Sequence, residues 1–423
     1  MCHTALFSTF RDQHDCSQSM SDPSIPPPLR FEGSGHLPYR LVLSTLTGRT
    51  VRISKIRSAS ITDPGLAPHE ISFLRLLESV TNGSHIEISY TGTALVYKPG
   101  LITGTVAGYG ANSSGVLRHE LPATCTRGVS YFLLPLCLLA PFSKAPFNVV
   151  FTGPGCITSA TPTGDMSVDS VRTAILPLYA HFGIQVKLEL RISQRSNTGP
   201  EGQGGCGEVQ LIFGHQVRLP KTLHLLNKGR VKSIRGVAYA AGVAGSNNAR
   251  MIEAARGVLN PFCPDTRIFS ENANAGFLPS PDKSNPHAKR KVGIGFGLSL
   301  VAETSTGVRY AADVPSPIDG GISAEDIGKQ CAYQLLEVIE QGGCAFAGAA
   351  PTMLTLMAMG SEDVGRILLG RHVLGSEDII QLARDFKAFG LSGWGLRDDA
   401  NDPEGVVVSI VGRGVGNIGR KVA

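Results

Sequence analysis

The feature that most constrains this chain is a recurring run of apolar helix, short polar or glycine turn, and strand of strictly alternating polarity. It appears at least four times, at intervals too irregular for a solenoid. In the first, Leu41 to Leu46 supplies the helix, Thr47, Gly48 and Arg49 break it, and Val51 and Ile53 alternate with Arg52 and Ser54. The second opens after Asp63-Pro64-Gly65 and runs through Ile71, Leu74 and Leu77, with Glu70, Arg75 and Glu78 placed on its surface. Asn82-Gly83 ends it, and Ile86, Ile88 and Tyr90 then alternate with His85, Glu87 and Ser89. Val186, Leu188, Leu190 and Ile192 repeat the alternation, and a last helix carries Ile379, Ile380, Leu382 and Phe386 toward Gly390.

Alternating strands present one face to a core and the other to polar surroundings, whereas strands buried on both faces of a parallel sheet would be apolar throughout. The pattern predicts an α+β fold with helices packed on sheets. At 423 residues the chain exceeds one ordinary core, so a composite domain or two domains are expected. The 42% apolar and 17% charged composition is globular, and 50 glycines fit short elements and tight turns.

Residues 1–29 mix Arg11, Asp12 and Asp15 with Pro26, Pro27 and Pro28, lack the layout of a secretory signal, and are expected to form a disordered leader in which Met20 offers an alternative start. Between Phe213 and Arg290 the rhythm changes to a basic stretch, an alanine-rich helical segment from Ala238 to Leu259, and a polar loop ending in Lys289, Arg290 and Lys291. This segment is expected to be an inserted small α/β domain at 213–290, between main parts at 30–212 and 291–423.

Several classes are disfavoured. The apolar run Tyr131 to Phe142 spans about 12 residues and holds Pro135 and Pro141, against the roughly 20 a membrane helix needs. No membrane partner is expected. The nine cysteines include no CxxC pair, so neither a zinc site nor a disulfide scaffold is expected, and no metal is assigned. A net charge of +5 favours a polyanionic or acidic partner. Gly199 to Gly207 is glycine-rich but lacks the Gly-Lys-Ser/Thr ending of a nucleotide P-loop, and reads as a turn.

An ordered set of motifs then narrows the reading. Arg30-Phe31-Glu32-Gly33-Ser34, Arg40-Leu41-Val42-Leu43-Ser44, Ile56-Arg57, Pro64-Gly65-Leu66 and Tyr97-Lys98-Pro99-Gly100 resemble the opening of the RNA 3'-terminal phosphate cyclase superfamily. Gly295 to Glu303, Asp326 to Leu336 and Gly360 to Gly370 resemble its cyclase-like branch, and the resemblance covers about residues 30 to 423. It implies three structural α/β repeats plus one small inserted α/β domain. It also implies a nucleolar factor for early processing of small-subunit ribosomal RNA precursors. The partners implied are a large ribosome-assembly GTPase, pre-ribosomal RNA and the small nucleolar ribonucleoprotein particle.

A cyclase of this family needs a histidine in its last repeat to take AMP covalently from ATP. Here the corresponding run is Arg371-His372-Val373-Leu374-Gly375-Ser376-Glu377, which aligns the nucleophile position near Leu374 or Gly375 and leaves His372 about two residues away. The glycine-rich opening is altered to Glu32-Gly33-Ser34-Gly35-His36, and Ala67-Pro68-His69 stands where cyclases carry an arginine and a glutamine around a proline. Loss of a bidentate phosphate donor fits abandoned cyclase chemistry, with no cofactor expected. The competing reading is an active ATP-dependent cyclase that uses His372.

Three further groups are candidates. Arg384, Asp385 and Lys387 lie on the last helix, with Phe386 inward and the three charges expected to point outward. As an acid between two bases they form a minimal set for metal-free RNA cleavage, an arrangement suggested for some cyclase-like members; helix-surface ion pairs are the alternative. Lys228, Arg230, Lys232 and Arg235 fall close enough together to neutralise several phosphates, and with Arg40 are candidate RNA or partner contacts, unless they form only a solvated face. Lys289, Arg290 and Lys291 form a shorter cluster of the kind that serves nuclear import.

Overall fold

The computed structural model describes residues 8–10, 26–106, 110–199, 204–280 and 288–416. Three units share one chain path of strand, helix, strand, helical segment and two further strands. In the first, Leu29–Glu32 lies parallel to Val51–Ser54 with helix Leu37–Thr47 as the crossover. After helix Pro68–Val80, strands His85–Ser89 and Leu95–Lys98 return antiparallel, and Leu95–Lys98 pairs with Val51–Ser54. The second unit repeats this order with Leu117–Glu120, helix Ser130–Leu139, Phe147–Thr152, helical turns from Val168 to Phe182, then Leu188–Gln194 and Glu208–Phe213. The third uses His224–Leu225, helix Ala350–Met359, Val364–Gly370, helix Glu377–Ala388, Gly395–Asp398 and Gly405–Val411. Identical strand order in three sheets makes the repeats structural, as the resemblance implied.

Local sequence sets these elements. Helix Leu37–Thr47 starts with Pro38 in its first turn and stops at Gly48, whose left-handed φ of 69° suits a helix end. All its residues except Tyr39 are buried, because it lies between its own sheet and neighbouring helices. The apolar run from Tyr131 to Phe142 is core: helix Ser130–Leu139 and a tight turn at Ala140–Phe142. Among the described residues no helix is long and apolar enough to cross a membrane.

A further four-stranded sheet belongs to the insert, whose limits differ from those expected. Strand Val231–Ala241 pairs in parallel with Thr266–Ala273 and antiparallel with Gly295–Thr304, which pairs with Arg309–Pro315. Helices Ser246–Leu259 and Ala324–Glu340 pack on each other, and Ala324–Glu340 also packs against the last two of these strands. A boundary at residue 290 would cut this sheet in two. The insert occupies 226–349, between the first strand and first helix of the third unit. The alanine-rich segment expected to be helical is likewise corrected: Ala238 to Ala241 end a central strand, and the helix runs only Ser246–Leu259. Pairing on both sides outweighs alanine's helix preference.

Three smaller differences concern position. Within the expected leader, Ser8–Phe10 pairs as an edge strand parallel to Glu87–Ser89. Tyr90, expected to continue the inward face of its strand, lies just past the strand end and is 90% exposed. Glu70, expected on a helix surface, is buried.

One buried group gives the fold a pH dependence. His119 is 9% exposed, its Nε2 is 2.9 Å from Ser72 Oγ, and its ring packs against Phe132 and Phe151. Burial, with a smaller contribution from Arg75, pushes its pKa down to about 4. The unfolded chain takes up this proton near pH 6.5 and the folded chain resists it. Stability is therefore intact above about pH 6.5 and falls by up to about 1.4 kcal/mol per pH unit as pH drops toward 4. Unfolding free energies from urea titrations at pH 7 and pH 5 are expected to differ by roughly 2 kcal/mol less in His119→Gln than in wild type. An unchanged pH difference would show that other groups carry the effect.

Candidate functional site

The three units meet around a cleft of about 540 Å³. The first contributes Ser34, His36, Tyr39, Arg57, His69 and Glu70, the second Arg127, Tyr131 and Asp165, and the third Pro351 and Asp378. Arg57 sits in a tight turn with φ of 42°. Its Nε donates to Gly65 O at 2.8 Å, and its terminal nitrogens donate to Ser34 Oγ at 2.8 Å and to both oxygens of Glu70. Glu70 also accepts the Ala67 amide at 2.7 Å, so the start of helix Pro68–Val80 fixes the carboxylate that holds Arg57.

Arg127 is held in the same way. It donates to both oxygens of Asp165 at 2.8 and 2.5 Å and lies over the Tyr131 ring. Asp165 further accepts from the Gly128 amide, Thr161 and Thr163. Both arginines that line the cleft are thus paired with carboxylates, so a phosphate would meet guanidinium charge that is already compensated. Burial lowers the pKa of His69, whose ring meets Tyr131 edge-on, and burial followed by the Glu70 charge raises that of Tyr131. His36 approaches Asp378 with Nε2 at 3.3 Å, and its buried Nδ1 has no hydrogen-bond partner.

Among the described residues, the histidines lining the cleft are His36 and His69, both from the first unit. His372, the nucleophile of the competing reading, is exposed on the short helix Arg371–Leu374 and does not line the cleft. Neither paired arginine was singled out as a site residue from sequence. Arg57 lies 13 positions from its carboxylate and Arg127 38 positions from its own, so no local pattern marks either pair.

The expected trio on the last helix is divided. Arg384 and Lys387 are exposed, but Asp385 is 1% exposed and does not point outward as predicted. It accepts from Arg40 Nε at 3.2 and 3.3 Å and from Gln381 Nε2 at 2.9 Å. Arg40, expected as an RNA or partner contact, is itself buried, with its guanidinium over the Phe31 ring and Phe31 stacked on Phe389. The two candidates form one buried ion pair tying the first unit to the third.

The basic cluster is also largely neutralised. Lys228 donates to Asp402, Lys232 pairs with Glu303 and Arg235 with Asp265, at 2.8, 3.2 and 2.7 Å respectively, while Arg230 is exposed. Lys289, Arg290 and Lys291 are exposed on strand Lys289–Val292. In the glycine-rich turn, residues 200–203 lie outside the described residues, and the amides of Gly204, Gly205 and Gly207 are spent on carbonyls of Cys125, Pro154 and Cys156 rather than left open to an anion.

Comparison with known proteins agrees with this architecture. Residues 29–389 match the model of the family described as RNA 3'-terminal phosphate cyclase. The chain is 38% identical to the rRNA processing protein rcl1 of Schizosaccharomyces pombe, over 93% of this chain and 98% of that protein. It is 38% identical to the RNA 3'-terminal phosphate cyclase-like protein of Homo sapiens, over 85% of this chain and 88% of the other. With the rRNA processing protein RCL1 of Saccharomyces cerevisiae it shares 34% identity over 95% and 99%. The repeated units, the insert and these matches together place the chain in the RNA 3'-terminal phosphate cyclase family, to which it belongs.

Proposed function

We propose that this protein acts in processing the precursor of small-subunit ribosomal RNA as an assembly factor that positions RNA and partners, without cyclase chemistry. The observation that carries the reading is the state of the central cleft. Both of its arginines are occupied by carboxylates, and its histidines come from the first unit rather than the third. The rRNA-processing role is supported by relatives that bear that name over more than nine-tenths of this chain. The nucleolar location, the GTPase partner and contact with the small nucleolar ribonucleoprotein particle belong to the same proposal.

A scaffold is favoured over an endonuclease acting through the last helix. A carboxylate that is to take a proton from a 2'-hydroxyl must reach it, and Asp385 is committed to Arg40 and Gln381 away from solvent. Arg384 and Lys387 remain available to phosphates. The test is depletion followed by replacement, with precursor RNA resolved by blotting. Depletion is expected to block early cleavages, and wild type, His372→Ala and Arg384→Ala/Lys387→Ala are all expected to restore them. Normal processing without the protein would end the proposal. Failure of the double variant alone, with the particle still assembled, would install the endonuclease reading instead.

A further inference from the structure

The run Lys289-Arg290-Lys291 takes on a different meaning once its setting is known. It is one arm of a hairpin in which Gly276–Pro279 pairs antiparallel with Lys289–Val292. Phe277 sits opposite Lys291 and Pro279 opposite Lys289, so these four share one face, while Leu278 and Arg290 share the other. Phe277 is 52% exposed, so its ring is within reach of a partner from solvent. The three cations are exposed and have no carboxylate partner among the described residues, unlike the paired cluster at Lys228, Lys232 and Arg235. A signal read by an import receptor must offer its backbone and side chains as an extended peptide. Here the backbone is committed to a ladder.

The face carrying Phe277 and Lys291 borders a concavity of about 450 Å³ that also includes Asn272 and Asn274. Both asparagines are exposed. We propose that this hairpin face binds single-stranded RNA, with one base stacked on Phe277, the flanking phosphates on Lys289 and Lys291, and the edge of the base facing the amides of Asn272 and Asn274. An aromatic ring directly across from one of two lysines spaced two residues apart suits single strands, which are held by stacking on aromatics beside a basic track. Their unstacked bases offer a π-face, and their phosphates follow the lysine spacing. A duplex buries those faces in its own stack. Charge complementarity selects RNA, since the two paired strands bring three positive charges and no negative one to a partner.

The inference rests on the proposed role in RNA processing only for the class of partner, and it is tested apart from that role. Fluorescence anisotropy of the full chain with a labelled oligouridine, against a labelled duplex of the same length, is read over a series of salt concentrations. Phe277→Ala is expected to weaken single-strand binding roughly 5- to 100-fold, and Phe277→Tyr to retain it. Lys289→Ala/Lys291→Ala is expected to flatten the plot of log affinity against log salt by about 1.4, from about 0.7 per phosphate on a single strand, whereas Lys232→Ala leaves it unchanged. All these positions are exposed, and unchanged thermal melting would confirm that folding is intact. Equal binding by Phe277→Ala and wild type, an unaltered salt slope, equally tight duplex binding, or affinity for an import receptor without affinity for RNA would each overturn the inference. A blocked pathway on depletion together with no RNA binding by the hairpin would sink this inference and leave the proposed function standing.

Discussion

Asp385→Ala is expected to lower the free energy of unfolding by about 3–5 kcal/mol, because it leaves the Arg40 guanidinium buried without its counter-charge. The side chains of Arg40 and Asp385 are 7% and 2% exposed. The remaining contacts of Arg40 are the Glu32 carbonyl at 3.5 Å and the Phe31 ring, which do not replace an anion. Water cannot reach the stranded charge without opening the seam between the first and third units. The loss is therefore expected in cooperative unfolding rather than in local fraying, and a urea titration followed by circular dichroism measures it. Arg40→Met/Asp385→Leu is the informative companion. Replacing both charges by apolar groups of similar size is often neutral or stabilising, so this pair is expected to recover most of what Asp385→Ala loses. A single variant as stable as wild type would mean that the pair is open to solvent. The result also governs how nuclease tests are interpreted: a triple substitution that includes Asp385 would lose RNA cleavage by losing structure, and only Arg384→Ala/Lys387→Ala addresses the exposed charges.

The burial of Asp385 was within reach of the sequence. Leu382 faces the core, and a residue three positions further along a helix returns to the same side, so Asp385 lies beside that apolar face rather than opposite it. What no local pattern supplies is the partner, since Arg40 lies 345 positions away. Elsewhere the pattern succeeded where periodicity was strong. Leu188, Leu190 and Ile192 turn inward as their alternation predicts, while Lys187 and Arg191 stay exposed. The fold class followed from such strands together with the family resemblance.

The insert was misplaced for a physical reason. Its central strand Val231–Ala241 ends in alanines that read as helix, and what makes it a strand is pairing with two partners from later in the chain. The first strand of the third unit is only two residues, His224–Leu225, too short to announce itself, and its pairing with Val364–Gly370 spans the whole insert. The central cleft was legible as altered motifs around Gly33 and Ala67. Its electrostatics were not, because the carboxylates that occupy Arg57 and Arg127 come from a helix start and from a loop.

The proposed function requires that this cleft does not carry out nucleotidyl transfer to the protein. Covalent adenylation requires a histidine nitrogen to bond the α-phosphorus of ATP while pyrophosphate leaves, and the nearest candidate by sequence, His372, stands on the surface outside the cleft. The direct measurement is incubation of the folded chain with ATP labelled at the α-phosphate, denaturation under alkaline conditions that preserve a phosphoramidate, and counting of protein-bound label. No label above a heat-inactivated control is expected, for wild type and His372→Ala alike. A protein-linked adenylate on the wild type that disappears in His372→Ala would contradict the proposed function.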